Sequence, residues 1–481
     1  MLGETGRGHR YRGEDRASAQ PLSPSLRRSR LAMPEVAKSV DSRVPLGFLC
    51  AFLLFEYLRV QDLIPLLGKT RIQTVFFALF VIVVFQQVSR SKEPTAPQLR
   101  LFLGFVALAF AQVPLVATNW FYALQFGYSL ALILVGCAAI AYIPRNEQDL
   151  KTFLGWLIAI HVCLAVLGIR GYSGSQFNEF GYTSTGGIGG WFLGDENDAA
   201  LAMLVALPLA LFLFRQATTS GARLGWGMGG LLILMTVVFT FSRGGFLGLL
   251  AIALWGILTT KKRVQVIGAL ALAALLLFAV APDEYWARMR TITDTEEGTA
   301  KIRQNYWAAA RRMFADSPIW GVGGDNGGVL MPEYSFDFPE EYRPNQWGRA
   351  FHSLYFQLLA EFGSLGVLLL GSVVILNFRD LERVRALARD GKIPESMGHL
   401  ATCLRFSWIG FFVPAAFISV LSYPHLYYLT ALTIGLRRMA RAHEAQAHPV
   451  PAAQPARVAP SRARFPGGGG LPELRQQSPK P

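Results

Sequence analysis

Apolar runs of helical length recur along most of this chain, and few carry a charge near the middle. A backbone inside a bilayer must satisfy its own hydrogen bonds, so such runs are helices that either cross lipid or pack against helices that do. Hydrophobic residues make up 52% of the 481 and charged residues only 16%, against about 25% charged in soluble domains. The chain therefore reads as an all-α polytopic membrane protein, and soluble enzymes are excluded. Windows of about 17 to 25 residues place about twelve transmembrane helices, near 45–58, 71–88, 99–117, 121–143, 151–169, 197–214, 224–241, 244–260, 264–281, 353–377, 401–420 and 423–438.

The net charge of +14 would point to nucleic acid in a soluble protein. Here it collects in alternate loops, as orientation by the positive-inside rule requires, and no nucleic-acid partner is expected. One set of loops holds the arginine-rich N-terminus, Arg90 with Lys92 and Arg100, Arg145 with Lys151, Arg215 with Arg223, Lys261-Lys262-Arg263, the stretch from Arg379 to Lys392, and Arg437-Arg438. The other set is less basic: 59–70, Thr118-Asn119, 170–196, the turn at Arg243, 282–352, and Tyr423 to His425. The first set reads as cytoplasmic and the second as outer, with both termini inside. This divides the chain into a basic disordered N-terminus (1–43), helices one to nine (44–281), a large outer loop (282–352), helices ten to twelve (353–438) and a disordered tail (439–481). The first forty residues lack the apolar core of a secretory signal, and Met33 is a candidate start. Cys50, Cys137, Cys163 and Cys403 all fall in apolar runs, without metal or disulfide spacing.

Arg243 stands in Ser242-Arg243-Gly244-Gly245, between two apolar runs. At the centre of a span a guanidinium costs about 2.5 to 3.5 kcal/mol, so its place is the outer turn that loop parity gives it. In the same compartment, Thr299 to Phe314 reads as an amphipathic helix, with Ile302, Tyr306 and Met313 on one face and Arg303, Trp307 and Arg311 on another. Asp316-Ser317-Pro318 ends it, and His352 opens the tenth span at the same surface.

Two arginines and a histidine facing the membrane surface suit an anionic substrate, above all a diphosphate, because guanidinium forks bind phosphate oxygens in pairs. Histidine can take a proton from an attacking hydroxyl. Arg243, Arg303 and His352 are thus the candidate catalytic residues. Trp307, Arg311, Arg312, Tyr355 and Asp198 form a second tier for substrate binding. No Asp-x-Asp or His/Asp cluster offers a divalent site on the outer side, so neither metal nor cofactor is expected. Each residue also has a structural alternative. Arg243 snorkels, His352 caps a helix, Arg303 stacks on Trp307, Arg311 and Arg312 are solvated, and Asp195 to Asp198 simply start a helix.

The chain resembles the O-antigen ligase family, which includes polymerases acting on lipid-linked repeat units. The resemblance is carried by Phe241-Ser242-Arg243-Gly244-Gly245; by Arg303-x-x-x-Trp307-x-x-Ala310 followed by Asp316-Ser317-Pro318-Ile319-Trp320-Gly321-Val322-Gly323; and by His352-Ser353-Leu354-Tyr355-x-Gln357-Leu358-Leu359-Ala360-Glu361-x-Gly363-x-x-Gly366. It implies a GT-C-like membrane glycosyltransferase at the periplasmic face of a bacterial inner membrane. The donor would be an undecaprenyl diphosphate-linked glycan and the acceptor a glycan, a lipid A core or a protein. By the same resemblance Arg243 and Arg303 hold the donor diphosphate, and His352 assists the acceptor hydroxyl, without a metal. The family commonly has asparagine where this chain has Ser353. The competing readings are a lipid-linked glycan transporter or flippase, which normally carries acids at mid-membrane, and a structural partner of a synthesis complex.

Overall fold

The computed structural model describes residues 43–91, 93–174, 193–260, 262–293 and 298–447. The expectations for Met33, for the tail beyond residue 447 and for most of the 170–196 loop lie outside them. Among the described residues there are helices and no strands. α1 (Arg43–Leu53) continues as a π turn (Leu54–Leu58) and stops at Arg59, whose backbone is left-handed (φ 47°). The short α2 (Val60–Leu63) and α3 (Pro65–Lys69) lead into α4 (Ile72–Arg90), α5 (Pro97–Leu115), α6 (Trp120–Tyr142), α7 (Glu147–Gly174), α8 (Glu196–Gln216) and α9 (Ser220–Phe239). After α10 (Arg243–Thr259) and α11 (Arg263–Val280), the segment expected to form the outer loop contains α12 (Asp283–Arg290), α13 (Gly298–Asp316) and α14 (Gly327–Tyr334). The chain closes with α15 (Leu354–Arg389), α16 (Glu395–Ala415) and α17 (Pro424–Ala447).

Seven of the described helices, α4 to α9 and α15, are long and apolar enough to cross a membrane. The protein is a multi-pass membrane protein. The remaining expected spans are shorter, bent or more polar. α1 has only 11 residues, and α10 is apolar with 17. α11 and α12 form a pair bent by 113°. α16 and α17 contain Arg405 and the pair Arg437-Arg438.

Small side chains let α8 serve as the central post. Ala199, Ala200, Ala202 and Ala206 are buried along it, and α9 and α16 pack on it most extensively. On α16, Ser407 donates to the carbonyl of Val205 at 2.8 Å. A Cβ at Gly410 would lie only 2.8 Å from the carbonyl oxygen of Leu204, so glycine sets how closely the two helices approach.

The loops sort by end. At one end Arg145 donates to Gln87 (2.7 Å), while Arg438 pairs with Glu93 (2.9 Å) and donates to the carbonyl of Ala141 (2.6 Å). At the other, Asn119 N–H donates to Asn326 (2.7 Å) and the Tyr423 hydroxyl to Asp198 (3.0 Å). Segments read from sequence as one basic set thus meet each other, and so do segments of the less basic set.

Two elements differ from the sequence reading. α15 was expected to end near 377 before a basic loop, but it runs to Arg389 because Leu381, Val384 and Leu387 continue a buried stripe. α15 is also broken at Gly363, where φ is 56°. α17 likewise continues to Ala447, so residues 439–447, expected to be disordered, are helical.

Candidate functional site

The kink at Gly363 is where the segment after α13 joins the bundle. Val322 N–H donates to the carbonyl of Ala360 (3.0 Å) and Gly323 N–H to that of Glu361 (3.1 Å); Ser364 N–H returns to the carbonyl of Pro318 (2.8 Å). Gln112 on α5 completes the joint by donating to the carbonyl of Glu361 (2.8 Å) and accepting from Gly324 N–H (3.2 Å). A Cβ at Gly321 would fall 2.3 Å from the carbonyl carbon of Glu361, and one at Gly363 would fall 2.6 Å from the carbonyl oxygen of Ile319. Both glycines also have positive φ, so close approach and left-handed backbone each require them.

That joint sets the start of α15 and, through it, His352. α13 spans Gly298–Asp316, close to the amphipathic helix expected over 299–314. It buries Tyr306, Ala309, Ala310 and Met313 against Phe338 and Phe351. Trp307 stacks on Phe356 (5.2 Å, 14°), and its indole N–H donates to the carbonyl of Phe351 at 3.1 Å. His352 follows directly, with φ 51°, a strained conformation for a residue with a Cβ. Its ring stands 6.2 Å from that of Tyr306.

Arg243 reaches the same end from α10. α9 ends in a tight turn with Phe241 at φ 54°. The Ser242 hydroxyl then accepts from Gly245 N–H (3.0 Å), capping α10, and donates to Asn197 at the head of α8 (2.7 Å). A Cβ at Gly245 would lie 2.9 Å from that of Ala200, and one at Gly248 would lie 2.6 Å from Leu204. The glycines after Arg243 therefore let α10 seat its N-terminus against α8. A helix N-terminus carries partial positive charge, which adds to that of the guanidinium. Arg243 donates to the Thr291 hydroxyl (3.1 Å), which donates to the carbonyl of Arg288 on α12 (2.9 Å).

Arg303 and His352 meet around two acids at the head of α8. Asp195 caps that helix, its carboxylate accepting from Asn197 N–H (2.8 Å) and Asp198 N–H (2.9 Å). Arg303 is half-buried within the electrostatic reach of Asp195, Arg288 and Glu196. Burial lowers its pKa, Asp195 and Glu196 oppose that shift, and Arg288 adds to it. Burial also pushes the His352 imidazole down to about 4; Arg303 and Arg349 push in the same direction, and Asp195 opposes them. His352 is therefore neutral near pH 7 and able to accept a proton.

Arg303 and His352 are thus electrostatic neighbours, and Arg243 is tied through Thr291 to the backbone of Arg288 on α12. The second-tier residues all carry structural contacts. Arg312 pairs with Asp337 and donates to the carbonyl of Tyr334 (2.9 Å), Arg311 lies over Phe356 (6.0 Å), and Tyr355 donates to the carbonyl of Phe412 (2.9 Å). Asp198 is buried beneath Tyr423, and Trp307 has the contacts given above. Sequence reading missed Arg288, Thr291 and Arg349. Arg288 had one local signal, a basic last turn in the short amphipathic helix α12. Among the described residues no group of three His, Cys, Asp or Glu side chains is placed to hold a metal ion.

Residues 228–371 match the sequence model of the O-Antigen ligase family, a stretch that includes Arg243, Arg288, Arg303 and His352. No curated protein matches the chain.

Proposed function

From the premise that residues 228–371 are an O-antigen ligase family region, we propose that the protein is a GT-C-like inner-membrane glycosyltransferase. It transfers glycan from an undecaprenyl diphosphate-linked donor to an acceptor hydroxyl at the periplasmic face. The observation that carries this reading is the grouping of Arg303, Arg288 and a neutral His352 with Asp195 and Glu196, with Arg243 tied to the Arg288 backbone through Thr291 at the same end of the bundle. Asp195 and Glu196 offset Arg288 and Arg303, and Arg243 at the N-terminus of α10 adds a further positive charge at the same end, which suits a diphosphate that gains negative charge as it departs.

His352 accepts the proton of the acceptor hydroxyl as the oxygen attacks the anomeric carbon. The bond from that carbon to the diphosphate oxygen breaks, and the arginines hold the leaving diphosphate. Asp195 limits repulsion among the cations before the donor arrives and favours the imidazolium formed during transfer. The acceptor is a glycan, a lipid A core or a protein.

The test is the glycan profile of a deletion strain complemented with the wild type or with Arg243→Ala, Arg303→Ala or His352→Ala, each checked for its level in the membrane. Full-length lipid-linked polymer accumulating in the variants identifies a ligase, and single capped repeats identify a polymerase. Normal glycan in all three variants overturns the proposal.

A further inference from the structure

α10 lies tight against α8 at the Arg243 end and leaves it toward the other. A Cβ at Gly248 would meet Leu204 at 2.6 Å, whereas one at Gly256, two turns on, finds nothing closer than Phe406 at 3.8 Å. α9 and α10 both pack on α8, yet touch each other little. The divergence opens a cavity of about 680 Å³ between α8, α9, α10, α11 and α16 at the basic end of the bundle. That volume lies in the range of ligand sites, about 300 to 1,000 Å³.

Its walls are apolar and include Leu207, Leu211, Leu231, Leu234 and Phe406, with Leu211 and Leu231 exposed on the outside of the bundle. Three basic side chains, Arg215, Arg385 and His399, line it, and no acidic one does. Arg385 is engaged by Glu382 and Thr402, and His399 by Glu395 at 3.2 Å. Arg215, at the last turn of α8, is exposed and makes no hydrogen bond or ion pair among the described residues. An apolar chamber beside a membrane, with an uncommitted guanidinium at its rim, is complementary to a molecule that is an alkyl chain at one end and an anion at the other.

We infer that the cavity between α8, α9, α10 and α16 binds an anionic phospholipid of the leaflet at the basic end, with one acyl chain between α9 and α10 and its phosphate at Arg215. The site lies at the opposite end of the bundle from Arg243, Arg303 and His352, and the inference does not depend on their role.

Native mass spectrometry of the full chain, released from micelles containing equal amounts of phosphatidylglycerol and phosphatidylcholine, tests this directly. The wild type retains phosphatidylglycerol several-fold over phosphatidylcholine. Arg215→Gln brings the two to parity, and Arg215→Lys restores part of the preference. Leu234→Trp, which narrows the chamber, lowers retention of both lipids. Thermal unfolding in detergent confirms that each variant is folded. Equal retention of the two lipids by the wild type, an unchanged preference in Arg215→Gln, or unchanged lipid retention in Leu234→Trp overturns the inference. So does displacement of bound phosphatidylglycerol by undecaprenyl phosphate at equal concentration, which would make the chamber a prenyl site.

Discussion

Trp307 donates its indole N–H to the carbonyl of Phe351, the residue before His352, at 3.1 Å. Trp307 lies one helical turn after Arg303 on α13, so this hydrogen bond helps tie the histidine to the helix that carries the arginine. Trp307→Phe keeps an aromatic ring to stack on Phe356 and removes only this bond. A hydrogen bond of this kind is worth about 1 kcal/mol, which corresponds to about a five-fold loss of transfer rate. Single-turnover assays with protein of equal thermal stability measure it.

The low pKa of His352 predicts an unusual pH profile. Transfer stays level from about pH 8 down to about pH 5 and falls as the imidazole charges near 4, rather than near the ordinary 6.5. Stability follows the same sign. Between about 6.5 and about 4 the unfolded chain binds the proton that the folded site refuses, so His352 makes stability fall as pH falls through that window. Removing the imidazole in His352→Asn flattens this part of the stability curve. A transfer midpoint near 6.5 would contradict the assignment.

Arg243 and Arg303 are predicted to act through fork geometry as well as charge. Arg243→Lys and Arg303→Lys each keep a cation but lose paired donation to a phosphate oxygen pair. By analogy with removal of one transition-state donor, each lowers the transfer rate by about 100-fold. Arg288→Lys, at the third guanidinium around the acids, has a smaller effect of about ten-fold. Rates at saturating donor separate these losses from weaker binding. Equal rates for wild type and Arg243→Lys would reduce Arg243 to a fixed charge.

Two glycine substitutions separate strain from crowding. Gly391→Ala sits at φ 70° with nothing within 4 Å of its Cβ, so it carries only the left-handed backbone cost of about 1 to 2 kcal/mol. Gly321→Ala, at φ 72°, also drives a Cβ to 2.3 Å from the carbonyl carbon of Glu361. Thermal melts in detergent should show a modest shift for Gly391→Ala and failure to accumulate folded protein for Gly321→Ala.

The helical membrane class was legible because apolar runs and alternating charge are local features. α13 was legible because its apolar side repeats at helical spacing; of the three residues read on one face, Tyr306 and Met313 are buried and Ile302 is partly buried. The break at Gly363 was not, since Gly363 stands in an apolar run with no proline to mark it. Only contact with Ile319 and Gly321 shows why a glycine is needed there. Arg243, Arg303 and His352 were legible one at a time, by cost and compartment. Their relation was not, because it passes through Arg288 and Thr291 at the end of α12 and Asp195 at the head of α8, which lie far apart in sequence and gain their importance from folding.

The segment from Phe338 to Phe351 is fastened at both ends, by the burial of Phe338 against Tyr306 and by the Phe351 carbonyl under Trp307. Most of the residues between are exposed. The part between Phe338 and Gly348, whose N–H donates to the carbonyl of Gly328 at 2.8 Å, is therefore the part open to change in length or composition, while Arg349 stays beside His352. On the proposed function, a lineage could remodel this rim to meet a new acceptor while leaving Arg303 and His352 where they stand.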